Sequence, residues 1–207
     1  MLNIIVLFGE TIAACALAKK WKLRECAQII ARKNVKALAT EYDPKISRGD
    51  DTLNVGCELV AIALQDMLPS VFDSGTEFML DLFSEDFCGK MNSSDIESAL
   101  IKVVPTLVDR TGDSNAKIRA ACTRTFRALL ALQHFDNAPL VKIMLHHEHK
   151  VNKKDGIRAN VGLLGLIEAA VIAGELVLHK GDAAAAAAAT TQSPDKGADG
   201  KGSPLRE

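Results

Sequence analysis

The sequence predicts an all-α fold, an α-solenoid of HEAT-like helical hairpins, on three observations. Hydrophobic residues make up 48% of the 207 positions and aromatics only 4%, an aliphatic, alanine-rich profile that suits helix packing better than a sheet core. Apolar residues recur at helical spacing from Ile4 to Leu178. The periodic segments pair into hairpins of about forty residues, with short turns inside a pair and longer, more polar connections between pairs. Each pair buries its apolar face only by stacking on a neighbour, which favours a solenoid over the competing arrangement, a single bundle.

Taken in order, Ile4, Ile5, Leu7, Phe8, Ile12 and Ala16 predict a helix that runs up to Lys19 and Lys20. Leu23, Cys26, Ala27 and Ile30 continue at helical spacing after Trp21, so the first hairpin has a very short turn at that residue. A less regular stretch from Asn34 to Asp51 contains Pro44 and Gly49; Val55, Leu59, Ile62, Ala63 and Met67 then predict a helix that stops at Pro69. Ser74 with Glu77, and Ser94 with Glu97, fit capping boxes and predict two more helix starts. The second of these runs through Ile101, Val104 and Leu107 to Thr111-Gly112, tolerating or kinking at Pro105. Asp113 or Ser114 caps the next helix, through Ile118, Cys122, Phe126, Leu129 and Leu130. A last pair covers about Ala138 to His147 and Asp155 to Leu178.

From Gly181 the composition shifts to an alanine run followed by Gly, Ser, Pro, Lys and Asp. That stretch lacks the apolar variety needed to offset chain entropy. The expected organisation is therefore one helical domain over 1–180 and a disordered tail over 181–207.

Charge and cysteine usage remove several classes of function. A formal net charge of −1 excludes general affinity for nucleic acid while leaving local basic patches open. Five single cysteines without a Cys-x-x-Cys pair do not read as a disulfide framework or a zinc site, which points to a reducing, cytoplasmic setting. Met1 to Ala18 is apolar, yet it lacks a basic leading region, contains Glu10 and continues the helical pattern, so it is not read as a signal peptide. No later segment is long and uncharged enough to suggest a membrane span.

In a solenoid the turns within hairpins project along one edge, so residues far apart in sequence form one surface. The first turn offers Lys19, Lys20, Trp21 and Lys22, including the only tryptophan of the chain, which is either a docking residue or a core plug. Asp51, Thr52, Leu53 and Asn54 are one candidate for the second turn, and Val71 to Ser74 another. The third offers Asp113, Ser114, Asn115 and Lys117 with Arg119 behind; the fourth offers Lys150, Lys153, Lys154 and Arg158. A tryptophan among lysines and arginines, on a protein neutral overall, suits an acidic protein partner. Each lysine taken singly is also what an ordinary solvated helix end carries.

Phe8-Gly9-Glu10 followed by Lys20-Trp21-Lys22-Leu23-Arg24-Glu25 resembles the opening hairpin of TOG domains, HEAT-repeat arrays that bind αβ-tubulin. Arg110 to Arg119, with Thr111-Gly112-Asp113-Ser114-Asn115-Ala116-Lys117-Ile118 between them, is similar to the third turn of those arrays, most of all in the ciliary-tip centrosomal branch and next in the crescerin type. The resemblance implies that Trp21 packs on tubulin with Lys20 and Lys22 beside it and that Ser114, Asn115 and Lys117 form the third contact. Leu53 and Asn54, and Lys153, Lys154 and Arg158, are carried over to the second and fourth turns; Arg24 is expected to pair with an acidic group inside the domain. It further implies a monomer without a cofactor, acting at microtubule ends in the cytoskeleton, at cilium tips, basal bodies and centrioles. The chain has room for four or five repeats where many TOG domains have six.

Catalysis is a poor fit to the residues. His146, His147 and His149 beside Glu148 are either a metal pair or solvated histidines at a helix end, and nothing nearby completes a catalytic set. No Gly-rich phosphate loop, Gly-x-Ser-x-Gly or His-Glu-x-x-His is present. Cys26 and Cys122 fall on apolar helical faces, where cysteine behaves as a small hydrophobe. The alternative function is a HEAT or armadillo-like adaptor that grips its partner on the concave face.

Overall fold

Gly9 is the first point at which tertiary structure departs from helical periodicity. The computed structural model describes residues 1–40, 49–89, 91–132, 134, 137–147 and 153–172. In it the opening helix is divided into α1 (Leu2–Phe8) and α2 (Glu10–Ala16) by Gly9, whose φ of 87° a side chain would strain. α3 (Trp21–Thr40) completes the first hairpin and continues through Asn34, because Ala27, Ala31 and Val35 keep one face buried while Lys33, Asn34 and Lys36 face solvent.

The second hairpin corrects two expectations. α4 (Gly49–Leu64) stops before Met67, and Pro69 opens α5 (Pro69–Leu82) instead of ending the preceding helix. A proline is at home in that first position, where its fixed φ suits the helix and its missing N–H has no intrahelical partner to lose. Ser74 therefore sits inside α5 and starts nothing, and residues 51–54 lie within α4 and form no turn.

After the short α6 (Glu85–Cys88), α7 (Ser93–Arg110) and α8 (Ala116–Leu130) form the third hairpin. Pro105 is accommodated inside α7, and the side chain one turn before it, Ile101, is 55% exposed, so water can reach the face where a backbone bond is lost. α9 (Ala138–His146) and α10 (Lys153–Ile172) complete the described helices in the place of a fourth hairpin, α9 packed on α7 and α10 on α7 and α8. The predicted helical residues 173–178 and the predicted tail 181–207 lie outside the described residues.

The hairpins stack in two layers. α1, α2, α4, α7 and α9 form one row and α3, α5, α8 and α10 the other, with α6 packed on α3 and α5. The core lies between the rows. Phe72, Phe78, Phe83, Phe126, Leu59, Leu64, Leu100 and Leu107 are fully buried there, and Phe8 meets Phe78 edge to face at 6.2 Å. Each such side chain contributes about 1.5–3 kcal/mol on burial. Small residues bring the rows together: a Cβ on Gly75 of α5 would stand 2.6 Å from the Cβ of Ala63 on α4.

On the solvent side of the second row, the acidic residues Asp73, Glu77 and Asp81 of α5 lie between basic residues of its two neighbours. Arg32 pairs with Glu77 and Asp81, Lys36 Nζ lies 3.2 Å from Asp81, and Arg124 pairs with Asp73. Exposed pairs of this kind are each worth about 0–1 kcal/mol, so they favour this order of helices more than they hold the fold together.

Gly75→Ala tests the close approach. A glycine in mid-helix costs about 1 kcal/mol relative to alanine, but overpacking costs about 1–3 kcal/mol and the Ala63 Cβ cannot rotate away. The expected result is a lower urea midpoint; an unchanged or higher one would contradict the contact.

Candidate partner-binding edge

Three turns of this solenoid are bonded to one another. Within the hairpins they span residues 17–20, 65–68 and 111–115; of the fourth, 147–152, His147 alone is described. Arg24, the fourth residue of α3, donates through Nη1 to the carbonyls of Ala18 and Lys19 at 2.8 and 3.0 Å, closing the first turn. Its Nε and Nη2 donate to the two carboxylate oxygens of Asp66 at 2.5 and 3.2 Å, reaching the second. Arg119, the fourth residue of α8, repeats the local half of this arrangement, with Nη1 donating to Asp113 and Ser114 carbonyls at 2.7 and 3.0 Å.

The fourth residue of α5 is Phe72, so the second turn has no arginine of its own at that place. Arg110, at the end of α7, lies 5.5 Å from the Phe72 ring centroid. From there its Nη2 donates to the Asp66 carbonyl at 2.6 Å and its Nη1 pairs with Asp113 at 3.0 Å. Asp113 in turn accepts from the Asn115 amide at 2.7 Å, and Asn115 accepts from the Lys117 amide at 3.0 Å as the N-cap of α8. That cap is one or two residues later than predicted, because Asp113 is engaged in shaping the turn. His147 extends the row by meeting Asp109 of α7 at 3.0 Å.

The electrostatics follow from these contacts. Burial opposes ionisation of Asp66, but hydrogen bonds from Arg24 and from the Leu68 amide prevail and hold its carboxyl below the usual carboxylate range. The same bond raises Arg24, which therefore stays charged.

The predicted contact residues divide. Trp21 begins α3 with 40% of its surface exposed, so it is no core plug; Lys20 and Lys22 are exposed beside it, with the Lys22 ammonium 5.8 Å from the indole centroid. Ser114 and Lys117 are exposed and Asn115 half-buried on the third turn. Arg24 pairs inside the domain as expected, with Asp66. Leu53 is a correction: it is fully buried in the core and cannot meet a partner. Asn54 lies on α4 ten residues before its last residue, about 15 Å from that end, and so is not on the edge either. Arg158 is exposed on α10, and the side chains of Lys153 and Lys154 are outside the described residues.

The true second turn is Gln65 to Leu68, where Met67 is 82% exposed and Leu68 39%. Sequence reasoning missed it by treating Pro69 as a stop; proline as a first helical residue was the available signal. Leu17, 60% exposed, adds to the first turn. The edge thus carries apolar side chains on its first two turns and polar or basic ones on its third.

Nothing described on this edge is arranged for bond chemistry. Among the described residues no three His, Cys, Asp or Glu come together as a metal site would require, and no helix is long and apolar enough to cross a membrane. Burial pushes the Cys88 and Cys122 thiols up to about 12 and raises Cys57 as well, so these are packing residues and not nucleophiles.

Comparison with known proteins agrees with the hairpin stack. The human centrosomal protein of 104 kDa is 25% identical over 150 residues, 72% of this chain and 16% of that protein; the rat protein is 23% identical over 145 residues, 70% of this chain and 16% of that protein. The chain thus spans about a sixth of the length of these curated relatives. A solved CEP104 TOG domain superposes with a TM-score of 0.67 at 22% identity, covering 81% of this chain and 64% of that one. The TOG domain of human Cep104 gives 0.64 at 20%, covering 81% and 65%. These two establish the fold, a stack of helical hairpins. The family model for the TOG domain of centrosomal protein CEP104 matches residues 2–168, from the start of α1 through most of α10, and on that match the chain belongs to the CEP104 TOG-domain family.

Proposed function

We propose that the chain is a noncatalytic module that binds αβ-tubulin through its turn edge, with the Trp21 indole as the packing anchor. The observation that carries this reading is an indole 40% exposed among Lys20 and Lys22, on a first turn bonded through Arg24 to the second. Exposed large aromatics backed by rigid structure are the usual anchors of interfaces, and membership in the TOG family supplies the identity of the partner. Met67 and Leu68 replace Leu53 and Asn54 as the contacts of the second turn; Ser114, Asn115 and Lys117 serve the third, and Lys153, Lys154 and Arg158 the fourth.

The lysines act over distance. An acidic protein surface is attracted by Lys20, Lys22 and Lys117, which speeds encounter more than it deepens the final affinity. The module works as a monomer without a cofactor at microtubule ends, in the centrosome, basal body and cilium tip. Selective binding of one tubulin curvature would shift the population of that state without any bond being made.

Size-exclusion chromatography and equilibrium titration with soluble tubulin provide the test. Trp21→Ala is expected to weaken binding at least tenfold, as loss of an aromatic anchor does, while Lys117→Ala weakens it a few-fold. Raising salt from 0.05 to 0.3 M should, on screening grounds, weaken the native chain more than Lys117→Ala. Co-elution indifferent to both substitutions would instead favour an adaptor that grips its partner on the concave face.

A further inference from the structure

Asp66 is the most heavily bonded residue of an otherwise exposed turn. Its side chain is 9% exposed while the next residue, Met67, is 82% exposed. The carboxylate accepts from Arg24 Nε and Nη2 and from the Leu68 amide, the last at 3.0 Å, and the carbonyl accepts from Arg110 Nη2. These contacts come from the first hairpin, the second and the third.

The pattern among the hairpins shows why this matters. Turns one and three are each closed from within, by Arg24 and Arg119 at the fourth place of α3 and α8. Turn two has Phe72 at that place; beyond its own Leu68–Asp66 bond it is held from outside, by Arg24 on one side and Arg110 on the other. Both of those arginines also bond their own turns, Arg24 through Ala18 and Lys19 and Arg110 through Asp113. The outside bonds that hold turn two therefore join all three.

We propose that Asp66 is the positioning residue of the edge, its carboxylate and carbonyl locking the first, second and third turns into one rigid row. It touches no partner itself. Its effect is to remove freedom that a partner would otherwise have to remove on binding, so that Trp21, Met67 and Lys117 meet their target already in place. As to the identity of the partner, this rests on the tubulin-binding reading; the coupling of the turns does not.

Two measurements separate these. Amide hydrogen exchange on the unliganded chain compares the native protein with Asp66→Asn, which keeps the size and loses the charge, and with Asp66→Glu, which keeps the charge. Asp66→Asn should speed exchange about tenfold at Leu68 and also at Leu23 and Asn115 in the flanking turns, with amides inside α4 and α7 unchanged. Asp66→Glu should restore much of the protection, and Arg24→Lys, which loses the two-pronged donor but not the charge, should reproduce the Asp66→Asn pattern. Faster exchange confined to Leu68, or a loss spread evenly over the helices in both Asp66→Asn and Arg24→Lys, would overturn the proposal. In the second measurement Asp66→Asn should weaken tubulin binding about tenfold and Asp66→Glu less. If the native chain fails to bind tubulin, the partner is wrong and the exchange result stands. If it binds and Asp66→Asn binds equally well despite loosened turns, the positioning role is refuted.

Discussion

A hairpin of two helices cannot bury its own apolar face, and the rest of this structure depends on that constraint. Phe72, Phe78 and Phe126 reach zero exposure inside the stack, where α5 packs on α3, α4 and α8. Stacking for the sake of burial also decides where the turns go. Successive hairpins stacked in this way bring the first three turns to one end, where Arg24 and Arg110 both reach Asp66.

Close stacking then makes polar bonding between turns possible. Arginine suits the task because its planar fork can serve a carboxylate and a carbonyl at once, as Arg24 does with Asp66, Ala18 and Lys19. These contacts are half-buried and closely hydrogen-bonded, unlike the ladder of Arg32, Arg124, Glu77 and Asp73 on the far side of α5, which is open to water. Two sets of ion pairs on one solenoid therefore differ in consequence: the exposed set favours an order of helices, and the sheltered set shapes a surface.

That surface is uneven in a way that fits protein recognition. Leu17, Trp21, Met67 and Leu68 expose apolar area on the first two turns, whereas Ser114 and Lys117 follow on the third. Exposed apolar side chains are ordinary at single positions; here four of them fall on two turns that Arg24 and Asp66 bond to each other.

Periodicity and composition were enough to determine the all-helical class, the pairing into hairpins and the prominence of Trp21, because burial of one helical face leaves a trace in every turn of sequence. The Arg110 to Arg119 segment was legible as a turn for the same local reason. What periodicity could not convey was phase at the boundaries: Pro69 as a beginning, Gly9 as a break and Asn115 as the cap all depend on backbone geometry that several residue patterns satisfy. Leu53 and Asn54 were misplaced through that error in phase, since a residue in the second turn of a helix and one at its end carry similar labels in sequence. Tertiary structure alone decided that Asp66 faces Arg24 across forty-two positions and Arg110 across forty-four, because side chains that distant meet only once the apolar faces between them have stacked.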